Sequence, residues 1–366
     1  MNDQHGDAPG QPAAAKASGA AAGNGDDIVA LRQLVIGVIV FFVLTGGLAT
    51  MIFDYANRSI AESLGRDTAK RQAQFDHERI VNLLQTDLTL ARRLADSPLL
   101  LKWALDENNP ALKRAALAEL ESYRHYFRGG SYFFIPRASG NYYHNDENNT
   151  YPGGGLAQVI LPGKVEHAWY FAAIDNPEQV QLNVDRNPAL ARTNVWINIQ
   201  MRHYDQVVAM VGSGIDLNEF TRTVATSTAS GAYGILASAD GAIQIHPDTS
   251  LIDFNSGAKR PNLRHTIFDL LASDNERRQL RESFDRLRRG SSSVEVLRLT
   301  IAGHAKLVGV DYVKEIGWFN LALVDTAQLI RNREFFTLGL LIGGALLLIV
   351  LVVLTPFAQK LLRPSR

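Results

Sequence analysis

The sequence predicts an α+β protein in which two similar modules follow a long helix, with a membrane-spanning segment at each end. Two uncharged apolar runs, Leu34 to Phe53 and Phe335 to Phe357, bracket the chain. A helical pattern of apolar residues follows the first run, and short segments rich in aromatic and β-branched residues extend from residue 131 toward the second run.

The two apolar runs have the length of membrane spans, because about twenty helical residues cover the roughly 30 Å of a bilayer core. Buried core helices would keep a polar face, whereas these runs contain no Asp, Glu, Lys or Arg. A cleaved signal peptide is the alternative for the first run, since Gly46, Gly47 and Ala49 are small. That run is long for a signal peptide and follows 33 polar-rich residues.

The charges beside the second run set the orientation. Lys360, Arg363 and Arg366 lie in an acid-free C-terminal segment, which places this end in the cytoplasm. We therefore predict a two-pass protein of the bacterial inner membrane, with residues 54–334 periplasmic and both termini cytoplasmic. The absence of cysteine is compatible with an exported domain of this size.

The overall charge excludes a nucleic-acid-binding protein. Lys plus Arg and Asp plus Glu both number 37, and no run of five or more basic residues occurs. Residues 1–33 lack apolar periodicity before the first run and are expected to form a disordered cytoplasmic tail. Residues 358–366 form a short cytoplasmic stub.

The segment 54–126 is predicted to be helical. From Asp54 to Asp96 there is no Pro and a single Gly, and apolar residues recur every three or four positions. Ser97-Pro98 and Asn109-Pro110 each place an N-cap residue before a proline, so two shorter helices should follow, the second ending near Tyr126.

An internal repeat organises the β-rich part. SYFFIPRASGNYYHND (131–146) and YGILASADGAIQIHPD (233–248) share strand, turn, strand, His, one residue and Asp. The segments 193–216 and 294–325 agree more loosely. We predict two modules, a membrane-distal one at 127–225 and a membrane-proximal one at 226–334.

These features resemble the double Cache sensor domains of bacterial transmembrane receptors. The local phrases that carry the resemblance are YFFI (132–135), AWYFAAI (168–174), VGSGIDL (211–217) and the last strand, 318–325. The resemblance implies two PAS-like modules on a long helix, a small-molecule ligand in the distal module and action as a dimer.

The resemblance also points to ligand-contacting positions. Amino-acid-binding members carry Arg-x-Trp-Tyr, and this chain has His167 before Trp169 and Tyr170, with Pro162 where a tyrosine is expected. A neutral imidazole cannot make the bidentate contact of arginine with a carboxylate, so the sequence does not support an amino-acid ligand. Asp216 falls where such receptors place an aspartate that meets a ligand amine.

Residue pattern adds further candidates. If Trp169 and Tyr170 lie in a strand, only one of the two rings faces the ligand. In TNVWINI, Asn194, Trp196 and Asn198 share one strand face, which either lines a polar pocket or is exposed to solvent. Tyr143, from the first hairpin, completes the candidate ligand-binding set.

Neither catalysis nor a cofactor is predicted. The sequence contains no hydrolase, phosphate-loop, metalloprotease, kinase or cyclase motif. His144, Asp146 and Glu147 could ligate a cation but are interpreted as part of a solvated turn. His246 and Asp248 stand at the equivalent turn of the second module, which favours a structural role.

The expected partners are a small ligand, the lipid bilayer, a second copy of the chain and a cytoplasmic signalling module. Gly339 and Gly343 would permit close helix approach in a dimer. The residues after Pro356 are too few for an output domain, so a diguanylate cyclase, kinase or phosphatase is expected in a longer chain or on a separate protein. The alternatives are an envelope scaffold and a polysaccharide chain-length regulator, which is mostly helical outside the membrane.

Overall fold

A computed structural model describes residues 19–153, 155–187, 190, 192–225 and 232–325, and scattered positions between 342 and 356. The chain divides into two compact units. One comprises Met1–Ile60 and Phe336–Arg366, and the other comprises Ala61–Phe335. The second unit contains every strand that the structure describes.

Three helices come first in the chain. They are α1 (Gly19–Ala95), α2 (Pro98–Leu105) and α3 (Pro110–Arg124). The predicted starts of the two shorter helices are confirmed: the Ser97 hydroxyl accepts a hydrogen bond from the Leu100 amide, and the Asn109 side chain accepts one from the Leu112 amide. In both, proline occupies the start of the helix.

The predicted membrane spans stay predictions. Across the part of the chain that the structure describes, no helix combines the length and apolar character needed to cross a bilayer. The second predicted span, 335–357, and the stub at 358–366 lie almost wholly outside the described residues, as do residues 1–18. Helix α1 begins at Gly19, within the tail that the sequence predicted to be disordered.

The first module is a six-stranded antiparallel sheet with two helices. Its sheet has the order β3-β2-β1-β6-β5-β4. Its elements are β1 (Tyr132–Pro136), β2 (Asn141–Asn145), β3 (Leu156–Val159), α4 (Ala168–Ile174), β4 (Val180–Asn187), β5 (Arg192–His203), β6 (Gln206–Asp216) and α5 (Leu217–Ala225).

The second module is a five-stranded antiparallel sheet in the order β8-β7-β11-β10-β9. Its elements are β7 (Ala232–Ser238), β8 (Ile243–Ile245), α6 (Asp274–Arg288), β9 (Glu295–Ile301), β10 (His304–Val313) and β11 (Trp318–Val324). Helix α6 was not predicted, although Ser273 and Glu276 form a capping box at its start.

The two modules share one topology. The strands β2-β1-β6-β5-β4 of the first correspond in spatial order to β8-β7-β11-β10-β9 of the second. The repeated hairpins of the sequence are β1–β2 and β7–β8, so the strand order supports the predicted duplication. The presence of two sheets also argues against the alternative of a polysaccharide chain-length regulator, which is mostly helical outside the membrane.

The first sheet separates two cores. Val195, Ile197 and other residues of one face pack with α1, α2 and α3 around Trp103. Phe133, Trp196 and Met210 lie on the other face and pack beneath α4. Three of the eight predicted site residues, Trp169, Tyr170 and Trp196, belong to this second, smaller core, and Asn194 and Asn198 lie on the same sheet face.

In the second module, α1 lies directly on one face of the sheet. A side chain at Gly309 would collide with the Ala69 backbone, so glycine at this strand position permits the close approach. Helix α6 packs on the other face, where Phe284 stacks on Phe319 with ring centroids 3.7 Å apart. Helix α1 therefore contacts both modules.

Candidate functional site

Trp169 and Tyr170 lie in helix α4, not in the strand that the sequence predicted. Both rings face the same core, at a centroid distance of 5.9 Å, so the argument that only one could face a ligand was wrong. Neighbouring helical residues are about 100° apart, which allows both to face the sheet.

Two glutamines of the sheet hold α4 in place. The Gln200 side chain on β5 donates hydrogen bonds to the carbonyls of Ala173 and Asn176, both at 2.8 Å. The Gln181 side chain on β4 also donates to Ala173, at 2.7 Å. They satisfy carbonyls that a helix C-terminus leaves unpaired, which explains why a seven-residue aromatic segment forms a helix here.

Aromatic rings fill the space between α4 and the sheet. Phe133 makes edge contacts with Trp169 and Trp196 at centroid distances of 6.2 and 6.0 Å, and it stacks on Tyr142 at 5.6 Å. The predicted alternation on β5 is confirmed, since Asn194, Trp196 and Asn198 share this face. All three are buried, which excludes the solvent-exposed alternative.

Glycines on β6 make room for these rings. A side chain at Gly214 would lie 2.8 Å from the Trp196 ring, and one at Gly212 would lie 2.7 Å from the Phe133 ring. The glycines of VGSGIDL therefore leave space for aromatic rings of neighbouring strands to pack against β6.

Four buried polar atoms on this side of the sheet have no hydrogen-bond partner in the described residues. They are the Asn198 Oδ1, the Asn183 Nδ2, the Tyr170 hydroxyl and the His144 Nε2. The His144 Nδ1 donates to the Tyr132 carbonyl at 2.6 Å, and burial lowers the His144 pKa to about 4. The ring is therefore neutral at pH 7, and its Nε2 is a free acceptor. Unpaired polar atoms are costly inside a protein, and a polar partner at any of them would recover a hydrogen bond.

Asp185 lies on the same sheet face, on β4 opposite Asn194. It is 5% exposed, and burial raises its pKa to about 7. A hydrogen bond from the Arg186 backbone lowers the pKa, but by less than burial raises it. A carboxyl group with a pKa near neutrality can exist in either protonation state at physiological pH.

The other three predicted residues have structural contacts. His167 lies in the turn before α4, where its Nδ1 accepts from the Leu161 amide and its Nε2 lies 3.3 Å from the Gln158 Oε1. The exposed Asp216 carboxylate accepts hydrogen bonds from the amides of Asn218 and Glu219 at the start of α5.

Tyr143 lies on the opposite face of the sheet. It packs against Trp103 at a centroid distance of 4.8 Å and donates its hydroxyl hydrogen bond to Glu107 at 2.8 Å. The structure therefore does not bring Tyr143 together with the other candidates.

The sequence analysis missed Asn183, Asp185 and the role of His144. Asn183 and Asp185 alternate with Leu182 and Val184, so a two-residue period in QLNVDRN could have revealed them. His144 was grouped with a solvated turn but is 1% exposed. The nearby Asp146 carboxylate does hold that turn, by accepting from the amides of Asn148 and Thr150.

The site lies in the first of two modules that share five strand positions and contact a common helix. This arrangement agrees with the double Cache architecture that the sequence resemblance implied. No protein-family profile matches the sequence.

Solved structures similar to this chain are ligand-binding domains of bacterial chemoreceptors. That of CtaA from Pseudomonas fluorescens, in complex with L-isoleucine, is 16% identical; the match covers 77% of this chain and 98% of that chain, with a TM-score of 0.49. That of PctB from Pseudomonas aeruginosa PAO1, with L-Arg, is 18% identical over 72% and 96%, with a TM-score of 0.48. That of PctC from the same organism, with GABA, is 16% identical over 71% and 99%, with a TM-score of 0.45. These values are too low to indicate what this chain binds.

Proposed function

We propose that the protein is a transmembrane receptor that senses a small molecule bound beneath α4 of the first module. The supporting observation is that buried polar atoms of Asn198, Tyr170 and His144, on the side of the sheet that α4 covers, have no partner in the described residues. A ligand that pairs with these atoms recovers hydrogen bonds that the unliganded fold lacks.

The proposed signal travels from α4 to α1. Gln200 and Gln181 join α4 to the sheet, and the opposite face of that sheet packs on α1 through Val195 and Ile197. A ligand that binds one arrangement of α4 better than another shifts the populations of both. In the proposed receptor, α1 continues into the first membrane span, and a dimer passes the change to a cytoplasmic output module.

The test is a thermal-shift screen of the full chain in detergent against amino acids, organic acids, amines, nucleobases and sugars. Tyr170→Phe removes a hydroxyl that has no partner, so its apo form should be as stable as the wild type or more stable by up to about 1 kcal/mol. We expect the variant to bind the hit about tenfold more weakly. Tyr126→Phe is the matched control, since Tyr126 is 72% exposed.

Two outcomes would contradict the proposal. A screen without any stabilising compound would favour the envelope scaffold. A hit that binds Tyr170→Phe, Asn198→Ala and wild type equally would place the ligand elsewhere.

A further inference from the structure

A cleft of about 760 Å³ lies between the two modules, where Trp169 and Asn198 of the first face the segment from Asn255 to Ala258 of the second. We call it the inter-module cleft. Its volume is that of typical small-molecule sites. The modules also touch at its edge, where the Asn255 amide donates a hydrogen bond to the Val184 carbonyl at 2.9 Å.

Three asparagine side chains on the cleft wall have buried atoms without partners in the described residues. Asn198 donates to the Asn183 Oδ1 at 2.5 Å, which leaves the Asn198 Oδ1 and the Asn183 Nδ2 unpaired. Turning both amides over would exchange these roles and still leave one donor and one acceptor. The Asn255 Oδ1, from the second module, is a further unpaired acceptor.

The charges around the cleft cancel. Arg264 pairs with Asp240, and Arg288 pairs with Asp285 at 3.0 Å. The other charged side chains on the wall are two basic and two acidic: Arg92, Lys314, Glu178 and Glu315. The Glu315 Oε2 is buried without a partner in the described residues and is a further acceptor on the wall. A ligand with a net charge would find no matching excess of opposite charge here.

Two tryptophans complete the wall, since Trp169 and Trp318 both line the cleft. A flat aromatic ring suits a ligand face made of C–H groups, while free amide donors and acceptors suit hydroxyl groups, which both donate and accept. We propose that the inter-module cleft binds an uncharged, polyhydroxylated molecule of the saccharide class, held between Asn183 and Asn198 of one module and Asn255 of the other. This inference rests on the proposed sensor function and names its ligand class.

Asn255 allows a test that leaves the backbone intact. Its φ is +57°, a left-handed conformation that glycine adopts readily. Asn255→Gly therefore keeps the backbone hydrogen bond to the Val184 carbonyl and removes only the side-chain acceptor. Asn149→Gly is the matched control, because Asn149 has a φ of +53° in an exposed turn that does not line the cleft.

The experiment measures binding of D-glucose, D-galactose, maltose and sucrose to the full chain in detergent by calorimetry, with L-glutamate and L-arginine as charged probes. We expect at least one sugar to bind, the charged probes not to bind, and Asn255→Gly to weaken the sugar about tenfold while Asn149→Gly leaves it unchanged.

The possible failures are distinguishable. A charged probe whose binding is lost in Tyr170→Phe but kept in Asn255→Gly would preserve the sensor function and overturn the saccharide inference. A sugar that binds Asn255→Gly as tightly as wild type would lie within the first module alone and would overturn the bridging site. Absence of sugar binding together with a hit from another class in the thermal-shift screen would overturn the saccharide inference alone, and absence of any hit in either experiment would overturn both proposals.

Discussion

Single residues on the first sheet show how closely its small core is filled. Gly214 faces Trp196 across the β5–β6 pair, and Asn194 lies beside it. A methyl group at position 214 would lie 2.5 Å from the Asn194 Nδ2 and 2.8 Å from the Trp196 ring. The Trp196 ring and the Asn194 amide therefore occupy the space that a side chain at position 214 would need.

Gly214→Ala is expected to destabilise the protein by about 1–3 kcal/mol, because Trp196 and Asn194 must leave their positions. Chemical denaturation of the full chain measures the change. Gly257→Ala is the control, since no atom lies within 4 Å of a methyl group at that position. Equal stabilities for the two variants would contradict the tight packing described for β6.

Buried carboxyl groups on α1 make stability depend on pH. Asp87 is 1% exposed, and burial raises its pKa to about 6. Its Oδ1 accepts from the Arg128 amide at 3.0 Å, while its Oδ2 has no partner in the described residues. Because the folded pKa exceeds the ordinary value near 4, its stabilising contribution is complete below pH 4 and is lost as pH rises through 6.

Asp87→Asn should therefore leave stability almost unchanged at pH 4 and raise it by about 1–3 kcal/mol at pH 8, since the amide keeps the acceptor and carries no charge. Denaturation at both pH values tests this, with the exposed Asp96→Asn as control. A variant less stable than wild type at pH 8 would show that the buried charge has a favourable partner.

At the scale of elements, α4 depends on contacts made by the sheet. Its seven residues are too few for a stable isolated helix. Gln200 reaches its last carbonyls from β5, and the rings of Trp169 and Tyr170 fix its inner face.

Gln200→Ala is expected to increase amide hydrogen exchange in residues 168–174 about tenfold, because carbonyls at the end of α4 lose their donor. It should also weaken any ligand held beneath α4. Gln206→Ala, at an exposed glutamine at the start of β6, is the control. Unchanged exchange in α4 would mean that aromatic packing alone holds the helix.

At the scale of the whole molecule, α1 is linked to the second sheet by a polar network. The His77 Nδ1 donates to Asp311 at 2.6 Å, and the Asn320 side chain donates to both Asp311 and the Ala73 carbonyl. The hydrogen bond to Asp311 raises the His77 pKa, and burial raises that of Asp311. Both shifts stabilise the fold at low pH and lose their effect as pH rises.

His77→Gln is expected to flatten the loss of stability above pH 6.5, because the variant has no imidazolium to lose. Thermal unfolding between pH 6 and 9 measures this slope. The exposed His265→Gln should keep the slope of the wild type. An unchanged slope in His77→Gln would assign the pH dependence to the carboxyl groups alone.

Much of this organisation was predictable because it depends on local pattern. Ser97 and Asn109 mark helix starts that need no distant partner, and the repeated hairpins follow from turn residues between β-rich segments. Trp169 and Tyr170 were assigned to a strand because α4 is stabilised by Gln200 and Gln181, which are remote in sequence. Asn255 was beyond prediction, since its place on the cleft depends on how two modules pack.

The difference between the modules has a consequence for how this chain could have evolved. Beneath α6 the second module is packed with apolar residues, with Phe284 flat against Phe319, while the corresponding face of the first carries unsatisfied polar groups. After duplication of an ancestral unit, one copy can exchange its polar ligand-binding residues for apolar core residues without loss of fitness. A module that is closely packed with apolar side chains has low compressibility, so a displacement of one of its helices is transmitted through it rather than absorbed.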